Sequence, residues 1–154
     1  PIRGIALALN EPVGVIGALC PDDKPLLGLV SLMAPAIAMG NQIILTASEP
    51  FPLIATDFYQ VLETSDVPAG VVNILTGCHI EIAPQMASHL NIDAVWSFSS
   101  SNLSKIIEKN AAGNLKRTWV NNGLDRIWTK SDGEGHIFLQ ASTEIKTVWV
   151  PYGE

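Results

Sequence analysis

The 154-residue sequence has few charged residues and no cluster of basic ones. Charged side chains make up 16% of it, and 15 acidic residues outnumber 9 Lys and Arg, so the net charge is −6. Binding to nucleic acid or to an anionic membrane surface depends on concentrated positive charge. We therefore expect neither nucleic acid nor a membrane among the partners.

Cysteine is also scarce, with only Cys20 and Cys78 present. Two cysteines cannot build a disulfide framework, and the three histidines lack metal-ligand spacing with either of them. We therefore expect no metal. Since no secretory leader opens the chain, we also expect a cytoplasmic location. The sequence begins at Pro1 without a methionine, so we also expect it to be part of a longer protein.

The one long uncharged run, from Pro25 to Ser48, is long enough to span a bilayer. Pro35 interrupts it, and the polar turn Gly40-Asn41-Gln42 divides it. These breaks indicate a buried helix followed by a short strand rather than a membrane span.

With 47% hydrophobic residues, the chain has enough apolar side chains to form a core. Short apolar runs alternate with helical patterns, which predicts an α/β fold: a Rossmann-like, doubly wound, mostly parallel sheet of about five strands. The predicted strands are Pro12 to Cys20, Gln42 to Leu45, Val71 to Leu75, Ala94 to Trp96 and Arg117 to Val120. The predicted helices are Pro25 to Met39, Pro52 to Glu63, Ile80 to Leu90 and Asn102 to Asn110.

The pattern changes after Trp128. We predict a Rossmann-like domain over residues 1–128, a loop over 129–140 and a C-terminal β arm over 141–154. No helix follows the β-rich run from Thr143 to Val150 to return it to the sheet. We therefore expect it to be an arm or edge strand that pairs outside its own core.

A ligand of a doubly wound sheet lies beyond the carboxyl ends of the strands, where the strand order reverses. With the common order 3-2-1-4-5, the loops Leu19 to Asp23 and Ser97 to Ser101 face this crevice. The Glu49 carboxylate could bind an adenosine ribose, and hydroxyls before Asn102 could bind a phosphate. The same residues could equally be helix caps and exposed loop positions. No G-x-G-x-x-G motif is present to favour cofactor binding over this interpretation.

Several segments resemble the NAD-dependent aldehyde dehydrogenases. The matching segments are Glu11 to Gly17 (the family's E-P-V-G-V-x-G), Leu32 to Ala36 with Gly40-Asn41 (L-A-P-A-L-A-x-G-N), Pro68 to Gly77 (P-x-G-V-V-N-V-V-T-G), Asn114 to Arg117 (N-L-K-R) and Thr143 to Val148 (Y-x-E-V-K-T-V). The resemblance covers residues 4–123 and 141–150. It implies a coenzyme-binding fold and a terminal strand that pairs across a subunit interface.

The resemblance also implies the cofactor-binding positions Leu19, Cys20, Pro21, Thr46, Glu49 and Ser100. Three of the matched positions depart from the family. Thr46 replaces the lysine of K-P-x-E, Ser99 replaces the glycine of F-T-G-S-T, and Asp23 replaces the oxyanion-stabilising asparagine of P-W-N-F-P. The resemblance therefore implies NAD as the cofactor, and these three departures oppose its binding.

The catalytic groups of the family are not matched either. Asn121 stands at the position of the general-base glutamate, and the G-Q-x-C segment that carries the nucleophile does not occur. We therefore expect no catalytic residues in this chain, since covalent catalysis needs an activated nucleophile. Its pattern most resembles the C-terminal second domain of the sixteenth aldehyde dehydrogenase family.

The leading hypothesis is a non-catalytic assembly module, which joins a second copy or a neighbouring aldehyde dehydrogenase domain through Thr143 to Val150. One alternative is a module that binds NAD or an adenine nucleotide weakly. Another is part of an active aldehyde oxidoreductase whose catalytic cysteine another domain supplies.

Overall fold

In a computed structural model, which describes residues 4–151, a five-stranded parallel sheet carries helices on both faces and a two-stranded ribbon extends from it. The strands are β1 Gly4–Pro12, β2 Val15–Leu19, β3 Gln42–Thr46, β4 Val72–Leu75, β5 Ala94–Ser97, β6 Arg117–Val120 and β7 Thr143–Pro151. The helices are α1 Pro25–Ala38, α2 Pro52–Glu63, α3 His79–Ser88, α4 Ser101–Ala111 and α5 His136–Ala141.

The sheet has the order β4-β3-β2-β5-β6, with all neighbours parallel. Counted along the chain from β2, this is the order 3-2-1-4-5, so the predicted doubly wound α/β fold is confirmed. The order reverses between β2 and β5, and the carboxyl ends of these two strands define the crevice.

Side chains alternate between two cores along each central strand. In β2, Ile16 and Ala18 pack with α1, α2 and α5, whereas Leu19 packs on the other face with α3 and α4. Such strands are buried on both faces, which is why they read as continuous apolar runs.

Helix α1 begins with Pro25 in its first turn, where the missing N–H removes no hydrogen bond. It ends before Gly40, whose φ of 87° suits glycine. Among residues 4–151, no helix is both long enough and apolar enough to cross a membrane.

The predicted strand from Pro12 to Cys20 corresponds to β2, but its first residue belongs to another strand, β1, which the sequence did not predict. β1 ends at Pro12 and β2 begins at Val15, with Gly14 at a φ of 124° between them. The Asp93 carboxylate accepts a hydrogen bond from the Val15 N–H at 2.8 Å and lies against Gly14. A side chain at Gly14 would clash with the Asp93 carboxylate. Both this contact and the positive φ explain why a glycine separates the two strands.

The C-terminal strand has a partner within its own chain, which the sequence did not predict. β7 pairs antiparallel with β1 over their full lengths, from Gly4 opposite Pro151 to Pro12 opposite Thr143. The two strands form the ribbon, and they contribute nothing to the five-stranded sheet.

The prediction of a loop over residues 129–140 is wrong at its end, where α5 begins at His136. The run Ile137-Phe138-Leu139 gives no period by which to tell helix from strand. Phe138 is 1% exposed because it packs against Phe98, Trp119 and Trp128. Burial of this ring holds the short helix on the domain.

Candidate functional site

A cleft of about 310 Å³ lies at the carboxyl ends of β2, β5 and β6. It is the crevice that the strand order places at the reversal point. Its lining residues are Asp22, Asp23, Phe98, Ser99, Ser100, Asn121, Gly123, Leu124, Asp125, Arg126 and Trp128.

Four of the predicted cofactor-binding residues lie at this edge of the sheet with buried side chains. Leu19 ends β2, Cys20 and Pro21 follow it, and Thr46 ends β3. The Thr46 hydroxyl faces the sulfur of Met86 at 4.0 Å, inside the core. These side chains pack inside the domain at the carboxyl ends of the strands and present no polar group to solvent.

Cys20 is not a candidate nucleophile. Burial, aided by the nearby Asp22 carboxylate, raises the pKa of its thiol to about 12. Because the thiolate is the reactive form, the Cys20 thiol is inert at neutral pH. The other cysteine, Cys78, is also a free thiol and is partly exposed.

Glu49 supplies a hydrogen-bond acceptor to the first turn of α3. Its Oε1 accepts from the His79 backbone N–H at 2.6 Å. Helix N-termini favour negative charge, so this contact stabilises α3. The side chain of Glu49 remains 41% exposed.

His79 is buried. Its Nε2 lies 2.8 Å from the Ala47 carbonyl oxygen, which requires a proton on Nε2. Asp22 binds the loop after β3, to which Ala47 belongs. Its Oδ1 accepts from the Ser48 hydroxyl at 2.7 Å and from the Glu49 N–H at 3.1 Å. No local pattern in the sequence pointed to either role.

Ser100 is the N-cap of α4. Its Oγ accepts from the Leu103 N–H at 3.3 Å, which satisfies one of the free donors of the first turn. Gly123 lies so close that a Cβ placed on it would be 3.1 Å from the Ser101 nitrogen. The first turn of α4 is therefore capped by Ser100 and packed against Gly123.

Asn121 fixes the turn after β6. Its side-chain amide donates to the Leu124 carbonyl oxygen, and its Oδ1 is buried with no hydrogen-bond partner in the described part of the chain. An amide cannot take up a proton at neutral pH, so Asn121 cannot act as a general base.

Three carboxylates and one cation line the cleft. Asp22, Asp23 and Asp125 are exposed at its rim, and Arg126 is the positive group among the lining residues. Burial lowers the pKa of the Arg126 guanidinium, and the Asp132 carboxylate opposes this shift. The rim is therefore a region of negative potential.

Sequence reasoning missed Arg126, which lies among four aromatic rings. Its guanidinium carbon is 4.5 Å from the ring centroid of Phe98 and 4.9 Å from that of Phe138. The rings of Trp119 and Trp128 are 5.3 and 5.6 Å away. The one available signal in the sequence was the position of Arg126 between Trp119 and Trp128.

Residues 4–151 contain no group of three or more His, Cys, Asp or Glu side chains that could hold a metal ion.

Comparison with known proteins supplies the family. A family model described as "Aldehyde dehydrogenase family" matches residues 3–125. The chain belongs to the aldehyde dehydrogenase family. This confirms the resemblance found in the sequence at the level of the superfamily.

Two curated aldehyde dehydrogenases illustrate the match. The chain is 37% identical over 120 residues to the NADP/NAD-dependent aldehyde dehydrogenase PuuC of Escherichia coli, which covers 77% of the chain and 24% of the relative. It is 38% identical over 153 residues to an aldehyde dehydrogenase of Agaricus bisporus, covering 98% and 29%. The chain thus spans about a quarter of the length of these relatives.

Solved aldehyde dehydrogenase structures share the fold. An indole-3-acetaldehyde dehydrogenase with NAD+ superposes with a TM-score of 0.75 at 33% identity, covering 80% of this chain and 25% of that one. The AldC mutant of Pseudomonas syringae with NAD+ and octanal gives 0.72 at 32% identity, covering 75% and 24%.

Measured against aldehyde dehydrogenases, the crevice of this chain does not fit the pyrophosphate of NAD. Carboxylates at its rim repel a dianion, and Ser99 stands where the resemblance has a glycine. Close backbone approach to a phosphate depends on such glycines. Of the positions predicted from the family, Glu49 and Ser100 are the exposed ones with polar side chains, and the Ser100 hydroxyl already caps α4.

Proposed function

We propose that this aldehyde dehydrogenase-like domain is non-catalytic and assembles with another domain of its kind through the ribbon. The partner is a second copy of the chain or a neighbouring aldehyde dehydrogenase domain. The finer assignment, to the second domain of the sixteenth aldehyde dehydrogenase family, belongs to the same proposal.

The observation that carries this proposal is the apolar face of the ribbon. Opposed residues of an antiparallel pair share a face, and here Ile5 lies opposite Val150 and Leu7 opposite Val148. Ile5, Leu7 and Val150 are each about half exposed.

A two-stranded ribbon is marginally stable by itself in water. Contiguous apolar surface of this kind is typical of an interaction site. The strands of the ribbon also offer backbone groups at their outer edges, since β1 and β7 have only each other as partners within residues 4–151. Main-chain pairing with another sheet would use those edges.

The crevice supports the non-catalytic part of the proposal. Asp23 places a carboxylate where the family resemblance puts an oxyanion donor, and a negative charge there destabilises a developing alkoxide. Asn121 cannot accept a proton, and the Cys20 thiol stays protonated.

Sedimentation velocity tests the assembly role. The wild-type chain is expected to self-associate, and the double variant Leu7→Lys with Val150→Lys is expected to remain monomeric, because two charges would be desolvated on the contact face. The matched control is Leu53→Lys on α2, where the leucine is 72% exposed and lies far from the ribbon in the sequence.

Equal association of the wild type and the double variant would contradict a ribbon interface. A wild-type chain that is monomeric both alone and with a purified aldehyde dehydrogenase domain would contradict assembly altogether.

The second candidate function, weak binding of an adenine nucleotide, is favoured by the exposed Glu49 carboxylate at the end of β3. A carboxylate there can accept hydrogen bonds from ribose hydroxyls. If the chain binds AMP, Glu49→Ala is expected to weaken binding at least tenfold in calorimetric titration, with Glu63→Ala as the control. No heat from AMP at millimolar concentration would exclude this function.

A further inference from the structure

The four rings around Arg126 form an aromatic box, made of Phe98, Trp119, Trp128 and Phe138. The rings come from the loop after β5, from β6, from the segment before α5 and from α5 itself. All four centroids lie within 6 Å of the guanidinium carbon, the range in which a ring attracts a cation. The box therefore surrounds a cation of its own chain.

The rings also meet one another in fixed orientations. Phe98 packs edge-to-face with Trp119 at 4.9 Å and with Trp128 at 5.5 Å between centroids. Phe98 and Trp128 are 6% and 5% exposed, so neither can turn freely. The box is preorganised by these ring contacts and does not rely on Arg126 alone for its shape.

The rim of the cleft selects for positive charge. Asp22, Asp23 and Asp125 line the same cleft as Arg126. Their carboxylates raise the local concentration of cations and lower that of anions. Charge and ring geometry thus favour the same class of ligand.

Arg126 lies on an exposed loop. Leu124 is 73% exposed, Asp125 is exposed, and Ile127 is 47% exposed. Beyond the rings, and within residues 4–151, the guanidinium is held by one hydrogen bond, from Nε to the Asp132 carbonyl oxygen at 2.5 Å. The loop follows Gly123, whose φ of 80° is a conformation that glycine adopts readily.

We infer that the aromatic box, which meets the cleft at Phe98 and Trp128, is a binding site for a planar organic cation, and that Arg126 occupies it as an internal ligand. Guanidinium and similar flat cations stack on ring faces, which a compact ammonium group cannot do. A ligand enters when the Arg126 side chain leaves the box, which breaks its hydrogen bond to the Asp132 carbonyl oxygen. The inference does not depend on the assembly role, since it uses no residue of the ribbon.

The test empties the box and supplies a ligand from solution. Arg126→Ala is titrated with methylguanidinium and, separately, with methylurea, which has a similar planar shape but no charge. Methylguanidinium is expected to quench tryptophan fluorescence of the variant saturably and at least tenfold more tightly than that of the wild type. Methylurea is expected to have no saturable effect.

Arg117→Ala is the matched control, because it removes an exposed arginine that pairs with Glu144 outside the box. It is expected to respond as the wild type does. A Gly-Arg-Gly peptide forms a further arm: binding of methylguanidinium alone assigns the site to a small molecule, and binding of both admits the arginine of a partner protein.

Folded Arg126→Ala that binds neither probe, or binds methylguanidinium and methylurea equally, overturns the inference. If this variant does not fold alone, refolding in methylguanidinium but not in methylurea is the expected result. Refolding in neither would show that Arg126 only supports the structure and would also overturn it.

Discussion

Among single residues, Asn41 connects three separate parts of the chain. It is 2% exposed, and its Nδ2 donates to the carbonyl oxygens of Ala36 and Ser142, both at 2.9 Å. Its Oδ1 accepts from the Gly14 N–H at 2.9 Å. One amide thus joins the end of α1, the link between β1 and β2, and the start of the C-terminal strand.

Asn41→Ala is expected to lower the free energy of unfolding by about 2–4 kcal/mol, because it leaves several polar backbone groups without a partner. Urea denaturation followed by circular dichroism measures this change. The control, Asn91→Ala at an exposed position, is expected to stay within about 0.5 kcal/mol. A loss for Asn41→Ala no larger than that of the control would show that water replaces the three contacts.

The two cysteines are expected to differ in reactivity. Since the pKa of Cys20 is raised to about 12, iodoacetamide at pH 8 should modify Cys78 alone in the folded chain and both thiols in urea. Peptide mass mapping distinguishes the two sites. Modification of Cys20 in the folded chain would contradict the burial that raises its pKa.

The same shift predicts a pH dependence. Above the ordinary thiol value of 9.0, the unfolded chain loses the Cys20 proton while the folded chain keeps it up to about 12. Stability therefore falls as pH rises through this window, by at most about 1.4 kcal/mol per pH unit. The difference between the wild type and Cys20→Ala isolates this contribution, and parallel pH profiles would contradict it.

At the scale of residues, the sequence predicted positions better than roles. Glu49 and Ser100 lie at the carboxyl edge, as the strand order requires, and the structure engages both in capping helices. The box around Arg126 could not be predicted, because its rings come from four separate segments that only tertiary packing brings together.

At the scale of elements, α4 depends on its first turn. It has the most polar exposed face of the helices, and Ser100 is the one N-cap among α1 to α5 whose side chain accepts a hydrogen bond from its helix within the described residues. The same serine is a predicted phosphate contact. Stability and binding measurements on one substitution separate these two roles.

Ser100→Ala is expected to destabilise the domain by about 1 kcal/mol, since an unsatisfied N–H remains at Leu103. Thermal or urea unfolding measures it, with the exposed neighbour Ser101→Ala as the control. Equal stability of the two variants would show that the cap contributes nothing, and Ser100 would then be free to serve a ligand.

The parallel sheet was predictable from sequence because each of its strands is a short apolar run closed by a turn. The ribbon was not, because Gly4 and Pro151 are paired across nearly the whole chain. Local patterns carry no information about such pairing. Helix α5 was missed for a different reason: six residues are too few to display a helical period.

At the scale of the whole molecule, the domain keeps the aldehyde dehydrogenase fold while the charge of its crevice opposes the usual cofactor. The relatives with solved complexes bind NAD+ on the same fold. In this chain, three carboxylates line the cleft where the strand order reverses. The difference in charge therefore lies in a few side chains at the cleft and leaves the fold unchanged.

Replacing two residues of the cleft should raise the affinity for NAD. The double variant Asp23→Asn with Ser99→Gly removes one negative charge and opens the backbone at the loop after β5. It is expected to bind NAD at least tenfold more tightly than the wild type in calorimetry, because a dianion gains from each lost carboxylate. Asp57→Asn on the exposed face of α2 changes the net charge equally and is expected to leave binding unchanged. If Asp57→Asn alone reproduces the gain, net charge rather than the crevice governs binding; if no variant gains affinity, the segment from Gly123 to Arg126 blocks the site by its position, and charge is secondary.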